Sequence, residues 1–194
     1  MKIQCRHKGF TLIELLIVIV VIGILSAMMM FSSTEAVSSA KAANVINDLT
    51  ILRKAIIGWY ADNYHRVTKK YNGTSKRDEY LIGDKYLGQF AQDKKGEQEF
   101  LRYIKNNKSI KLTKDNNTKP GEFLLATEGN KWYVGYDAGS DMRLREKIAG
   151  RAKSLMLQGA TKKVNANGTV GTDTDNIHPY TAKDQKVYML IMQF

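Results

Sequence analysis

The sequence predicts an α+β fold, in which a long N-terminal α-helix, transmembrane in its first half, packs on a small antiparallel β-sheet head. Three observations predict it. Phe10 to Phe31 is an apolar run of 22 residues interrupted by one charge, Glu14. Val45, Leu49, Leu52, Ile56, Trp59 and Asn63 then repeat at the spacing of one helical face. Farther on, EFLLATEGNKWYVGYD (Glu122–Asp137) reads as two strands about a Gly129–Asn130 turn, and Val187–Phe194 reads as a last strand.

The chain has 194 residues, room for one ordinary domain of about 100–150 residues plus one extended element. The expected organisation is a leader over 1–9, an apolar helix over 10–31, an amphipathic stem over 32–64 and a globular head over 65–194. The leader, MKIQCRHKG, is short and cationic. As a helix, the apolar run would extend about 33 Å at roughly 1.5 Å per residue, enough to cross a bilayer core. By the positive-inside rule Lys2, Arg6 and Lys8 stay cytoplasmic, which places the head outside.

An ordinary secretory signal is cut behind small residues that follow the apolar stretch. Here Ser26 and Ala27 run into Met28, Met29 and Met30, and the leader-like boundary is Gly9–Phe10, ahead of the stretch. A cut there keeps the hydrophobic helix in the product. Cys5 would leave with the leader, and with it any thiol nucleophile, disulfide or cysteine-based zinc site.

Glu14 is the anomaly, because a carboxylate inside an apolar span costs about 2.5 kcal/mol or more and marks a function by default. An amine freed at Phe10 can pair with Glu14 of a neighbouring copy and so set the stagger between packed helices; such a charge pair serves registry rather than stability. The competing reading is a glutamate at the membrane edge that snorkels to the headgroups.

Residues 9–25, GFTLIELLIVIVVIGIL, resemble the processing and methylation signature of type IV pilins and type II secretion pseudopilins. The resemblance is close over residues 9 to about 31 and weaker to about 64. It implies a pilin-like fold, cleavage after Gly9 by a prepilin peptidase, N-methylation of Phe10, and an assembly role for Glu14. It also implies identical or homologous subunits in a helical filament, an inner-membrane assembly platform, and a location in the cytoplasmic membrane and then in a filament in the periplasm or on the cell surface. The chain departs from the family in having no proline before Pro120, no carboxyl-terminal cysteine pair and no aspartate-rich calcium loop. The first departure puts a kink or melted segment in the apolar helix in doubt.

The stem reads as part of one helix from about Thr11 to Tyr64, with Trp59, Tyr60 and Tyr64 packing in the core. Residues 65–120 are rich in Lys, Asn and Gly, with weak apolar runs at Tyr80–Ile82, Tyr86–Phe90 and Phe100–Ile104, and read as short helices and loops. Met142–Leu157 reads as an amphipathic helix whose stripe is Leu144, Ile148, Ala152 and Leu155, with Arg143, Lys147 and Arg151 on another side. That basic face is either solvated or a contact for an anionic surface.

Of the net charge of +11, removal of Lys2, Arg6 and Lys8 leaves +8, and residues 66–119 carry +7 of it. This motivates an alternative function, DNA binding or uptake, against the reading of a solubilising surface. A third reading is a signal-anchored membrane protein that never polymerises. Catalysis is not expected: no nucleophile with base and orienting group, and no Gly-rich phosphate loop, is present in the sequence. No cofactor or metal is expected either. His65 and His178 are isolated, and the spacing of Asp173, Asp175 and Asn176 matches no complete calcium loop.

Overall fold

The computed structural model describes residues 10–73, 76–104, 110–113, 118–160 and 177–194. The chain divides into two compact units between Ser38 and Ser39. Helix α1, Leu12–Asn63, is a single unbroken α-helix of 52 residues, within one residue of the expected bounds at each end. It contains no proline and keeps its α-helical hydrogen bonding across the point where a kink was in question.

In the first unit the apolar side chains of α1 have no cover among the described residues. Every described residue from Leu12 to Ala36 is exposed. In the second unit the same helix buries one stripe, Ala42, Val45, Ile46, Leu49, Leu52, Ile56 and Trp59, as its spacing predicts. Tyr60 is half-buried and meets Trp132 and Phe194 edge-on. Tyr64 is a correction: it is 66% exposed, because a 3-10 turn over Tyr64–Arg66 carries it off the buried stripe.

The head is built on five antiparallel strands in the order β3-β4-β7-β5-β6. Strands β3 (Phe123–Glu128) and β4 (Lys131–Asp137) form the expected hairpin. Its turn has a positive φ at Gly129 and none at Asn130, which suits glycine at the first loop position of a tight hairpin. Strand β7 (Lys186–Gln193) is the expected last strand and lies between β4 and β5 (Gln158–Ala160). The short strands β5 and β6 (Ile177–Pro179) were not expected, since three residues carry no readable period.

Alternation sorts the sheet into two apolar faces. Phe123, Leu125, Trp132, Val134, Val187, Met189 and Ile191 join the α1 stripe in one core. Leu124, Ala126, Tyr133 and Tyr188 form a smaller buried cluster on the other face. Gly135 is required there, because a Cβ would come within 2.8 Å of the Tyr188 ring that crosses it.

The segment 65–120 is the main correction. It contains helices α2 (Leu87–Gln92) and α3 (Lys94–Tyr103), but also a β-hairpin, β1 (Val67–Asn72) with β2 (Arg77–Ile82). The hairpin escapes sequence reading because β1 buries none of its residues, so no apolar–polar alternation marks it. Helix α4 spans Met142–Leu155, capped by Asp141, whose carboxylate accepts from the Leu144 amide at 3.0 Å. Leu144, Ile148 and Ala152 are buried as expected; Leu155 is exposed, and Leu157, just past the left-handed Met156, takes the buried place instead.

A polar knot ties α1 to α3. Glu99 of α3 accepts from Trp59 Nε1 at 3.1 Å and from Arg66 Nη1 at 2.8 Å, and the Arg66 guanidinium also lies over the Trp59 and Phe90 rings. Burial alone would raise the Glu99 pKa, but the two donors outweigh it and hold the carboxyl below its ordinary value. A depressed folded-state value means stability that is complete above the ordinary carboxylate range and is lost as pH falls through the lower folded value. We therefore predict that Glu99→Gln flattens the acid limb of the stability–pH curve below about pH 4.3, the free glutamate value, in thermal unfolding of the full chain in micelles. An unchanged acid limb would remove Glu99 from that role.

Candidate assembly and processing site

The site is the first turn of α1 and the residue before it. Phe10 precedes the helix and is 79% exposed. Thr11 closes the helix start: the Leu15 amide donates to its carbonyl at 3.3 Å, and the Glu14 amide donates to its hydroxyl oxygen at 3.3 Å. Glu14 answers in the other direction. Its Oε2 accepts from the Thr11 amide at 2.8 Å and from the Thr11 hydroxyl at 2.7 Å.

This reciprocal arrangement is a capping box, with the threonine before the first turn and the glutamate three residues later. Four amides at a helix start lack intrahelical partners, and the box satisfies two of them. The T-x-x-E spacing of Thr11 and Glu14 was available in the sequence, and reading Glu14 only as a membrane anomaly missed it. The carboxylate thus has a local structural task whatever else it does. Only Oε2 takes part; Oε1 has no partner among the described residues. A carboxylate has about four lone-pair sites, so the box leaves room for a further donor.

Depth decides what the charge costs. If the apolar layer starts at Phe10, Glu14 lies about 6 Å along the helix axis, at roughly 1.5 Å per residue. That is close to the interface, where a long side chain reaches the headgroups and the penalty is smaller than at the bilayer centre. Below it come Leu15, Leu16, Ile17, Val18, Ile19 and Val20, all exposed. By length and composition α1 can cross a membrane, and none of its most apolar window is buried within the chain. Gly9 and the rest of the leader, including Cys5, lie outside the described residues.

The other sites considered in the sequence fall elsewhere. His65 is exposed in the turn after α1. Nε2 of His178 on β6 lies 3.2 Å from Oδ1 of the buried Asp184, which also accepts from the Thr181 amide and hydroxyl. One carboxylate is not a metal-ligand set, and no cluster of three such groups occurs among the described residues. Asp173, Asp175 and Asn176 lie outside the described residues. On α4, Arg143 and Arg151 face solvent. Of the cations in 66–119, Arg66 is engaged by Glu99, Lys69 by Asp78 and Lys85 by Asp93; all three acids belong to the same segment, so these pairs leave its net excess of +7 unchanged.

Comparison with known proteins agrees with this placement. Residues 5–30 match the prokaryotic N-terminal methylation motif, which contains Gly9, Phe10 and Glu14. The chain is 29% identical over 68 residues to the type II secretion system core protein G of Escherichia coli (strain K12), covering 35% of this chain. It spans 47% of that relative's length, a little under half. No solved structure matches the chain. The resemblance read at the amino terminus is thereby borne out, as is the pilin-like α+β architecture of a long apolar helix followed by small antiparallel sheets.

Removing the Thr11 hydroxyl tests the capping box. Thr11→Val should destabilise the first turn by about 1 kcal/mol, and raise amide exchange there roughly fivefold, without moving the stem or the head. Exchange measured by NMR in micelles reads this directly; protection unchanged at Leu12–Glu14 would show that the box carries no weight.

Proposed function

We propose that the chain is a structural subunit of a filament, either a type II secretion-like pseudopilus or a type IV pilus, and that it performs no catalysis. One observation carries this reading: an apolar helix that none of the described residues covers, opening on a carboxylate within a methylation motif. A bilayer covers such a helix before assembly, and neighbouring copies cover it afterwards. The similarity to a type II secretion core protein favours the pseudopilus of the two.

In this reading a prepilin peptidase cuts between Gly9 and Phe10, and the new amine of Phe10 is methylated. The amine carries a positive charge where the leader amide carried none. It becomes a donor for a carboxylate, and Oε1 of Glu14 in an adjacent copy is an acceptor already held in place by the capping box. Two charges meeting in a low-dielectric layer accept few alternative positions, so the pair fixes axial register between helices even where it adds little stability. The platform in the inner membrane draws on laterally mobile subunits, with their heads on the outer side.

Mass spectrometry of the native protein tests the processing step. The expected chain starts at N-methylated Phe10; an intact Met1 would mean a simple anchor. Gly9→Leu should abolish the cut and leave the precursor in the membrane. Glu14→Ala should leave insertion and processing intact while reducing filament incorporation at least tenfold, scored by shearing and immunoblot. That corresponds to about 1.4 kcal/mol or more of lost registry energy. Normal incorporation of the alanine variant would refute the register role.

A further inference from the structure

The head carries a cleft of about 680 Å³ that α1 does not line, walled by two hairpins. One wall is the β1–β2 ribbon. Register places Lys69 opposite Tyr80 and Tyr71 opposite Asp78, so these four side chains share one ribbon face. The other wall is the β3–β4 turn, with Glu128 opposite Lys131. The turn lies against the ribbon: a Cβ on Gly129 would sit 3.5 Å from Cδ of Arg77, and Nε1 of Trp132 donates to the Tyr80 carbonyl at 3.4 Å. The floor is aromatic. Tyr80 and Phe194 stack with ring centroids 4.1 Å apart and planes 11° from parallel, and Asn130 holds Phe194 through 2.7 Å and 2.9 Å bonds.

The chemistry of the lining is specific. Lys69 is paired with Asp78 at 2.8 Å. Lys76, Arg77 and Lys131 have no acidic partner among the described residues, although all three line the cleft. Tyr71 stands 63% exposed at the rim, a large ring with no packing partner to explain it. Unpaired cations around an aromatic floor call for an anionic ligand with a flat apolar face.

Two carboxylates narrow the class. Asp78 and Glu128 also line the cleft. A nucleic acid strand carries one negative charge about every 3.4 Å and would run that charge past both, with like-charge repulsion and no hydroxyl-rich face to offer them. A saccharide chain bearing uronate groups matches every element instead. Its carboxylates accept from Arg77, Lys131 and Lys76, its hydroxyls donate to Asp78 and Glu128, and the C–H face of a pyranose ring lies on Tyr71 or the stacked pair. We propose that this cleft binds an acidic, uronate-bearing oligosaccharide. The proposal concerns the head alone and does not depend on polymerisation.

Isothermal titration of the full chain in micelles at low salt, with tetragalacturonate as the probe, tests it. The expected result is saturable 1:1 binding, no binding of neutral maltotetraose, and weaker binding of a 12-nucleotide single-stranded DNA. The double variant Arg77→Glu, Lys131→Glu should weaken uronate binding about tenfold or more, through loss of charged hydrogen bonds. Arg143→Glu on α4, a basic residue outside the cleft, should leave it unchanged. Tyr71→Ala, which removes an exposed ring with no buried contacts, should weaken it several-fold with no change in the thermal midpoint, and this covers the case in which the double variant unfolds. Absence of binding, equal binding of the neutral sugar, tighter binding of the DNA, or indifference to Tyr71→Ala together with an inert or unfolded double variant would each overturn the assignment.

Discussion

The chain is organised around apolar surface that none of its described residues covers. From Leu12 onward α1 presents leucine, isoleucine, valine and methionine on every side, and none of its most apolar window is buried within the chain. A helix that is apolar all round has two stable environments, lipid or the interior of an assembly. The same helix becomes amphipathic from Ala42 on, where the head supplies the cover. One secondary-structure element thus serves two solvents, and the transition is written in the spacing of its apolar residues.

The head meets its own constraint, which is to hold a helix stripe with packing and polar contacts alone, since it has no cysteine. Trp59 shows how. Its ring packs against Phe90 and Phe100 with centroids 5.5 Å and 5.2 Å away, and its indole N–H meets Glu99. Arg66 closes the set over the ring face. A partly buried charge pair offsets its desolvation best when its remaining hydrogen-bonding capacity is used, and here the tryptophan and the arginine converge on one carboxylate oxygen. Helix α3 is thereby fixed to the stem by directional bonds in addition to apolar contact.

What could be read from the sequence follows from how strongly burial is periodic. Val45, Leu49, Leu52, Ile56 and Trp59 are buried because the stem has one wet face, and a 3.6-residue period survives in the text. The β3–β4 hairpin was legible from its Gly–Asn turn and aromatic content, and β7 from its run of apolar residues. Strands β1 and β2 were not, since a two-stranded ribbon in which one strand has no buried residue needs no apolar alternation. Tyr64 and Leu155 were misplaced because a helix end changes the direction of its last side chains, which period alone does not report. At the amino terminus the residues of interest were legible by type, but the threonine that positions Glu14 was not singled out, since a charge in an apolar run drew the reading away from the ordinary grammar of helix starts.

The strand order has a temporal meaning. Strand β7, residues 186–193, lies between β4 and β5 and is the last of the seven strands among the described residues. Until those residues arrive, β4 has one open edge and the β5–β6 pair has no sheet to join. A ribosome delivers a polypeptide from its amino end, so this keystone emerges after every other described strand of its sheet. The sheet therefore closes only once synthesis has gone past Gln193, long after the whole of α1 has been made.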